Sequence, residues 1–205
     1  MPRGKYIVVE GLDGTGKTTQ LTKMQEYFGA KNTLAVREPG GTPMAEQIRS
    51  ILKDKNLPRS AKTNMFLFSA ARADLLDNSI RPALTSGKNV VCDRNWLSTI
   101  AYQAAEGADV SDILTLSKIA AGDLFEPDLI ILIDLDPAIC RQRLFGRGGS
   151  EVDYFDSKGQ DYFLRVRQAY LEEIKKLKNA IVVDGAPAPD KVWQQIEEKI
   201  KGANL

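Results

Sequence analysis

The chain contains no histidine in its 205 residues. The side chain that most often serves as general base, metal ligand or switch near neutral pH is therefore unavailable. Whatever chemistry the protein performs must rest on carboxylates, lysine, arginine, backbone amides or a bound cation. Cysteine is almost as scarce. Cys92 and Cys140 stand far apart in the sequence, which excludes the close-pair spacings of zinc and dithiol sites and leaves reduced thiols of an intracellular, cytoplasmic protein as the expectation. No apolar run approaches the roughly 20 residues of a membrane span, and residues 1–5 lead into a strand-like segment without the pattern of a secretory signal. An excess of one charge is missing too. Lysine plus arginine number 28 against 27 aspartate plus glutamate, so no broad basic face for nucleic acid or anionic membrane is expected. A small arginine cluster for phosphates remains open.

What is present reads as one domain over residues 1–205, long enough to bury a large core. Four short apolar runs, at 6–9, 89–92, 129–133 and 180–183, and a weaker one at 33–36, are rich in valine and isoleucine and do not alternate. That pattern predicts parallel strands covered on both faces, and the helical stretches between them predict an open α/β sheet. Thr42-Pro43 and Asp136-Pro137 each place a capping oxygen before a proline suited to the first helical turn. The longest helical stretch runs from about 60 to 85, ended by Ser86-Gly87-Lys88. Residues 146–158, with three glycines and little periodicity, read as a mobile loop between two helices.

The residues Gly11-Leu12-Asp13-Gly14-Thr15-Gly16-Lys17-Thr18 fit G-x-x-x-x-G-K-[ST] at every fixed position, after a strand and before a helix. The glycines let backbone amides converge on phosphate oxygens, and the helix beginning near Gly16 adds the positive end of its dipole. Lys17 is expected to neutralise charge near the β- and γ-phosphates, and the Thr18 hydroxyl to ligate Mg²⁺. The loop alone suits kinases, GTPase switches and motor ATPases. The guanine-reading N-K-x-D motif is absent, and the chain is short for a motor. Asp93 and Asp134 end apolar strands, where ligands of such sheets bind. Asp93-Arg94 sets a carboxylate able to hold Mg²⁺ through water beside a guanidinium able to bridge phosphates, although a strand-end salt bridge would use the same pair.

Taken in order, several segments resemble the thymidylate kinase family of nucleoside monophosphate kinases, over nearly the whole chain. The run from Glu10 to Thr19 is similar to the family's phosphate loop, and Arg37-Glu38-Pro39-Gly40-Gly41-Thr42 with the following Ala45-Glu46-Gln47-Ile48-Arg49 to its second signature in bacterial style. Phe68-Ser69-Ala70-Ala71-Arg72 resembles its nucleobase segment. Asp93-Arg94 with the segment from Leu97 to Gln103 resembles its third signature, and Pro127-Asp128-Leu129 up to Asp134 its late strand.

The resemblance implies a P-loop kinase fold: a five-stranded parallel sheet flanked by helices on both faces, with a short lid at about 143–158. It implies phosphoryl transfer from Mg-ATP to dTMP for dTTP biosynthesis, by a homodimer. Gly11, Asp13, Gly14, Thr15, Gly16, Lys17, Thr18 and Thr19 would bind ATP, and Thr18 and Asp93 would hold the metal. Phe68 would stack on thymine and Arg72 would reach its O4. Thr99 and Gln103 would contact the base edge, beside Ser98. Tyr102 would crowd the sugar 2′ position, Asp13 would accept the 3′-hydroxyl, and Arg49 and Arg94 would hold the dTMP phosphate with Glu38 nearby. By their neighbours alone, Phe68 would be core and Arg49 a solvated charge. Gly14 stands where type I members carry a loop arginine, so the chain resembles type II, in which lid arginines supply that charge. Arg147 is the first candidate and Arg143 the second, with Arg141 close by. Two positions depart from the pattern: Asn95 follows Asp93-Arg94 where tyrosine or histidine is usual, and the lid carries Asp153-Tyr154 where bacterial members often carry Asp-Arg. Two rival readings stay open, a kinase for another nucleoside monophosphate or deoxynucleoside and a nucleotide-dependent switch that transfers nothing.

Overall fold

The computed structural model of the chain describes residues 2–146, 154–155 and 158–202. Five parallel strands form its centre: β1 Tyr6–Glu10, β2 Thr33–Arg37, β3 Asn89–Asp93, β4 Leu129–Asp134 and β5 Ala180–Asp184. They lie in the order β2-β3-β1-β4-β5. Each expected strand is present, and each runs one residue further at its carboxyl end. The added residues are Glu10, Arg37, Asp93, Asp134 and Asp184. The apolar pattern stops before them because they are charged, yet the ladder needs only their backbone.

The unbroken apolar runs are explained by burial on both faces. Tyr6 and Val8 pack to one side of the sheet with Val90, Cys92, Ile130 and Leu132. Ile7 and Val9 pack to the other with Val91, Ile131 and Ile133. Helices α3 Ala61–Leu75, α5 Trp96–Ala105, α6 Val110–Ala121 and α8 Gln160–Ile174 contribute Met65, Leu97, Ile113 and Val166 to the first layer. Helices α1 Lys17–Phe28 and α9 Pro189–Gly202 contribute Met24 and Ile196 to the second. Helices on both sides of a parallel sheet leave its carboxyl edge as the place where backbone and charged groups are open to a ligand.

Helices α2 Pro43–Lys53 and α7 Pro137–Phe145 begin at the expected prolines. The Thr42 hydroxyl accepts from the Ala45 amide at 3.1 Å, and the Asp136 carboxylate from the Ala138 amide at 2.8 Å. The long stretch expected over 60–85 is continuous but not uniform. After α3, Leu76–Ile80 forms a π-helical turn, and α4 Arg81–Thr85 completes the rod. Pro82 supplies the physical reason. It has no amide proton to give, and its ring displaces the carbonyl four residues back, so the helix widens there. The rod ends at Gly87, φ 83°. Lys88 N–H reaches the Ala83 carbonyl and Gly87 N–H the Leu84 carbonyl, both at 3.0 Å, which is a Schellman closure. Among the described residues no helix is long and apolar enough to cross a membrane.

Both cysteines are free and buried. Burial pushes the Cys140 thiol up to about 11 and the Cys92 thiol well above the usual range. At pH 8 roughly a thousandth of Cys140 would be thiolate, against about a quarter for an ordinary cysteine. The native protein should therefore resist a thiol-specific disulfide reagent at pH 8, and both sulfurs should react once guanidinium unfolds it. Rapid reaction in the native state would show that one of these sulfurs reaches solvent.

Candidate active site

The loop from Gly11 to Gly16 leaves β1 and turns into α1. Three of its glycines have positive φ: 141° at Gly11, 88° at Gly14 and 97° at Gly16. Gly14 is doubly constrained, because a Cβ there would stand 2.5 Å from the Cys140 carbonyl oxygen, whereas one at Gly16 would meet nothing within 4 Å. Thr15 closes the turn from inside, its hydroxyl donating to the Leu12 carbonyl at 2.9 Å.

The Lys17 ammonium is folded onto this loop. It donates to the carbonyls of Gly11 and Leu12, each at 3.1 Å, and to Asp13 Oδ1 at 3.2 Å. Asp93 Oδ1 lies 3.9 Å away. Arg94 brings a second cation to the same carboxylate oxygen, with Nη2 2.8 Å from Asp13 Oδ1. Desolvation works against ionisation of Asp13, but Arg94 and Lys17 outweigh it and hold the carboxyl below the usual carboxylate range.

Arg94 has φ 76° and is the one non-glycine residue with positive φ among those described. Such a conformation costs about 1–3 kcal/mol and persists where the surroundings over-determine it. Arg94 Nη1 donates to the hydroxyls of Ser98 (3.1 Å) and Tyr170 (3.0 Å). Nη2 also donates to the Tyr102 hydroxyl at 3.2 Å. Asn95, one of the two departures noted in the sequence, caps α5: its side-chain oxygen accepts from the Leu97 amide at 2.9 Å, a role that asparagine fills well and a tyrosine side chain could not.

A cavity of about 330 Å³ opens beside the loop. Asp13, Gly14, Gly16, Lys17, Thr18 and Thr19 of the loop and α1 line it, together with Glu38, Arg49, Asp93 and Arg94, and with Phe68 of α3 and Ser98, Thr99, Tyr102 and Gln103 of α5. Gln103 is fully buried, and neither of its side-chain amide atoms has a hydrogen-bond partner among the described residues. Such orphaned groups mark a place for a polar ligand or water. Arg49 Nη1 donates to the Pro39 carbonyl at 2.9 Å. Two carboxylate oxygens, Asp93 Oδ1 and Glu38 Oε1, are likewise buried without a hydrogen bond among the described residues. Carboxylate and hydroxyl oxygens such as these and that of the lining Thr18 are the hard donors that suit Mg²⁺. No cluster of three or more histidine, cysteine or acidic side chains exists among the described residues, so most ligands of such an ion would be water or phosphate oxygens.

Arg72 lies behind the cavity rather than on its lining. It is 2% exposed, with Nε on Glu38 Oε2 at 2.7 Å and Nη2 on the Thr99 hydroxyl at 2.8 Å. Burial pushes the Glu38 carboxyl up, and Arg72 offsets this only in part. Arg143 donates to the carbonyls of Gly185 and Ala186, each at 3.0 Å. Arg147 and Asp153 lie outside the described residues.

The sequence over residues 9–196 matches the family model for thymidylate kinase. The chain belongs to the thymidylate kinase family. It is 38% identical to the thymidylate kinase of Haemophilus ducreyi, with 97% of this chain and 94% of that protein aligned. The crystal structure of thymidylate kinase from Ehrlichia chaffeensis superimposes with a TM-score of 0.77 at 28% identity, covering 97% of this chain and all of that one.

Three groups at this thymidylate kinase site carried no assigned role in the sequence reading. Phe155 lines the cavity with its ring centroid 6.0 Å from that of Phe68. Glu10 is fully buried at the end of β1, and Tyr170 reaches Arg94 from α8. Tyr170 follows Tyr162 and Val166 at helical spacing, so by pattern it reads as core. Only the hydroxyl on an otherwise apolar face hints at a polar partner.

The glycine geometry has a measurable consequence for this loop. Gly14→Ala should lower the melting temperature of the ligand-free protein more than Gly16→Ala, because only the first adds a clash with backbone to the unfavourable φ. Gly16→Ala should cost about 1–2 kcal/mol. Equal shifts in thermal unfolding would mean that the Cys140 carbonyl yields freely.

Proposed function

We propose that the loop end of the cavity takes the ATP phosphates, that the Phe68 end takes the thymine of dTMP, and that Lys17 and Arg94 hold the two phosphate groups against each other. The chain is an ATP:dTMP phosphotransferase that gives dTDP and ADP on the route to dTTP. The observation that carries the assignment of roles is the meeting of Lys17 and Arg94 on one Asp13 oxygen. Two cations from different segments of the chain converge there.

The attacking group is a phosphate oxygen of dTMP, already anionic at neutral pH. No strong general base is needed, which suits a chain without histidine. The difficulty is the mutual repulsion of two phosphate groups brought into line. Lys17 exchanges its hydrogen bonds to the Gly11 and Leu12 carbonyls for donor phosphate oxygens. Arg94 holds the acceptor phosphate with Arg49, and Asp13 accepts the sugar hydroxyl. These positions lower the barrier chiefly by alignment and by opposing charge. The Thr18 hydroxyl and Asp93 would hold Mg²⁺, which would neutralise charge on the donor phosphates. A lid arginine, Arg147 before Arg143, completes the neutralisation.

At the base end, Phe68 stacks on thymine and Gln103, with Thr99, meets its polar edge. Arg72 reaches the thymine O4, and its ion pair fixes Glu38 while its bond to Thr99 orients that hydroxyl. Tyr102, whose hydroxyl is tied to Arg94, stands against the sugar 2′ position. The enzyme works in the cytoplasm as a homodimer that pairs through α3, on which Phe66 is half exposed.

Lys17→Ala and Arg94→Ala should each lower turnover at least about a hundredfold while the melting temperature stays near that of the parent. ADP release from Mg-ATP should respond to dTMP far more than to dUMP, UMP, CMP, AMP or GMP. Near-normal turnover in either folded variant would remove that residue from its role. A preference for another monophosphate would overturn the reading of Phe68 and Gln103. Sedimentation should give twice the 22.6 kDa chain mass, and a monomer would refute the dimer.

A further inference from the structure

Glu10 is the last residue of β1 and is fully buried. Its carboxylate is held by two backbone amides and two hydroxyls. Oε1 accepts from the Asn95 amide at 2.8 Å and the Ser98 amide at 3.2 Å. Oε2 accepts from the Ser98 hydroxyl at 2.6 Å and the Tyr170 hydroxyl at 3.0 Å. The amide bonds alone would make Glu10 a helix cap. In a capping box, the third helical residue reaches back to the capping residue's amide. Here that residue is Ser98, and Glu10 from a distant strand does the reaching.

Capping does not explain Tyr170. It comes from α8 and is 1% exposed, and its hydroxyl meets Glu10, Ser98 at 2.7 Å and Arg94 at 3.0 Å. Arg94 Nη1 donates to both hydroxyl oxygens, and each hydroxyl also lies within hydrogen-bond distance of the buried carboxylate oxygen Glu10 Oε2. The cation thus rests on a buried anion through two hydroxyls that relay the charge. This frame grips one edge of the guanidinium. The other nitrogen, Nη2, lies on the Tyr102 hydroxyl and on Asp13, whose side chain is 54% exposed and so can exchange its contact with solvent or ligand. The same frame fixes both amides that flank the strained residue's exit into α5, at Asn95 and Ser98.

We propose that Glu10 and Tyr170 are positioning residues, which hold Arg94 in its left-handed conformation and aim its guanidinium at the acceptor phosphate. The inference rests on the reading of Arg94 as the residue that binds that phosphate. Neither residue lines the cavity, and neither touches substrate. Their contribution passes through Arg94.

Equilibrium binding of dTMP, measured by titration calorimetry on the full chain, separates this from a purely structural role. Tyr170→Phe keeps the ring and should weaken dTMP binding about tenfold, as should Glu10→Gln, while Arg94→Ala weakens it more. In the Arg94→Ala background either substitution should change affinity by less than about twofold, because coupled residues are not additive. Should Tyr170→Phe not fold, Glu10→Gln alone carries the same comparison. If both single variants bind dTMP like the parent while Arg94→Ala does not, the positioning role is wrong. Loss of the same factor with and without Arg94 would also overturn it. If Arg94→Ala leaves affinity intact, the reading of Arg94 falls and this inference with it.

Discussion

Two backbone hydrogen bonds lace together the carboxyl ends of three strands. Glu38 N–H reaches the Asp93 carbonyl at 2.8 Å, and Arg94 N–H reaches the Val9 carbonyl at 2.9 Å. These bonds extend the β2-β3-β1 ladder one step past its apolar length. They set Glu38, Arg94 and the start of the phosphate loop in a row across two strand spacings, about 10 Å. Glu38, Arg94 and the loop that carries Asp13 take their positions from that row. Had β1 paired differently, Lys17 and Arg94 would not share Asp13.

This edge of the sheet carries more charge than such a crowded place can tolerate unpaired, and ion pairs within the chain resolve this. Lys17 and Arg94 meet on Asp13, Arg72 on Glu38, and Arg167 grips Asp134 at the end of β4 through two bonds of 2.7 and 2.8 Å. The pairs differ in what they can give up. Arg72 and Glu38 are almost wholly buried, so separating them would leave a charge without water or partner. Asp13 is half exposed, and its cations can exchange it for phosphate oxygens at little cost. Rigid support and exchangeable contact are thus divided between neighbouring ion pairs by depth.

The sheet was legible because its evidence is local. A parallel strand covered on both faces must be apolar throughout, so residues 6–9 or 129–133 announce themselves. The phosphate loop was legible because its glycines answer to backbone geometry that other residues resist. The π-helical turn was signalled by Pro82, which a pattern of apolar spacing alone passes over. Arg72 shares a helix face with Phe68, as their spacing requires, but spacing does not say how deep each lies. Packing draws Arg72 under the cavity to meet Glu38 and leaves Phe68 on its lining.

The class of fold, the phosphate loop and the family could be read along the chain, because each depends on residue types at short range. Which charges face one another was settled by packing in three dimensions. Glu10 and Tyr170 are 160 residues apart, and Asp13 and Arg94 are 81 apart. Their pairing follows from strand order and from how α8 lies against α5. No local pattern encodes those distances, since the free energy that sets them is the burial of two core layers rather than any property of the charged residues themselves.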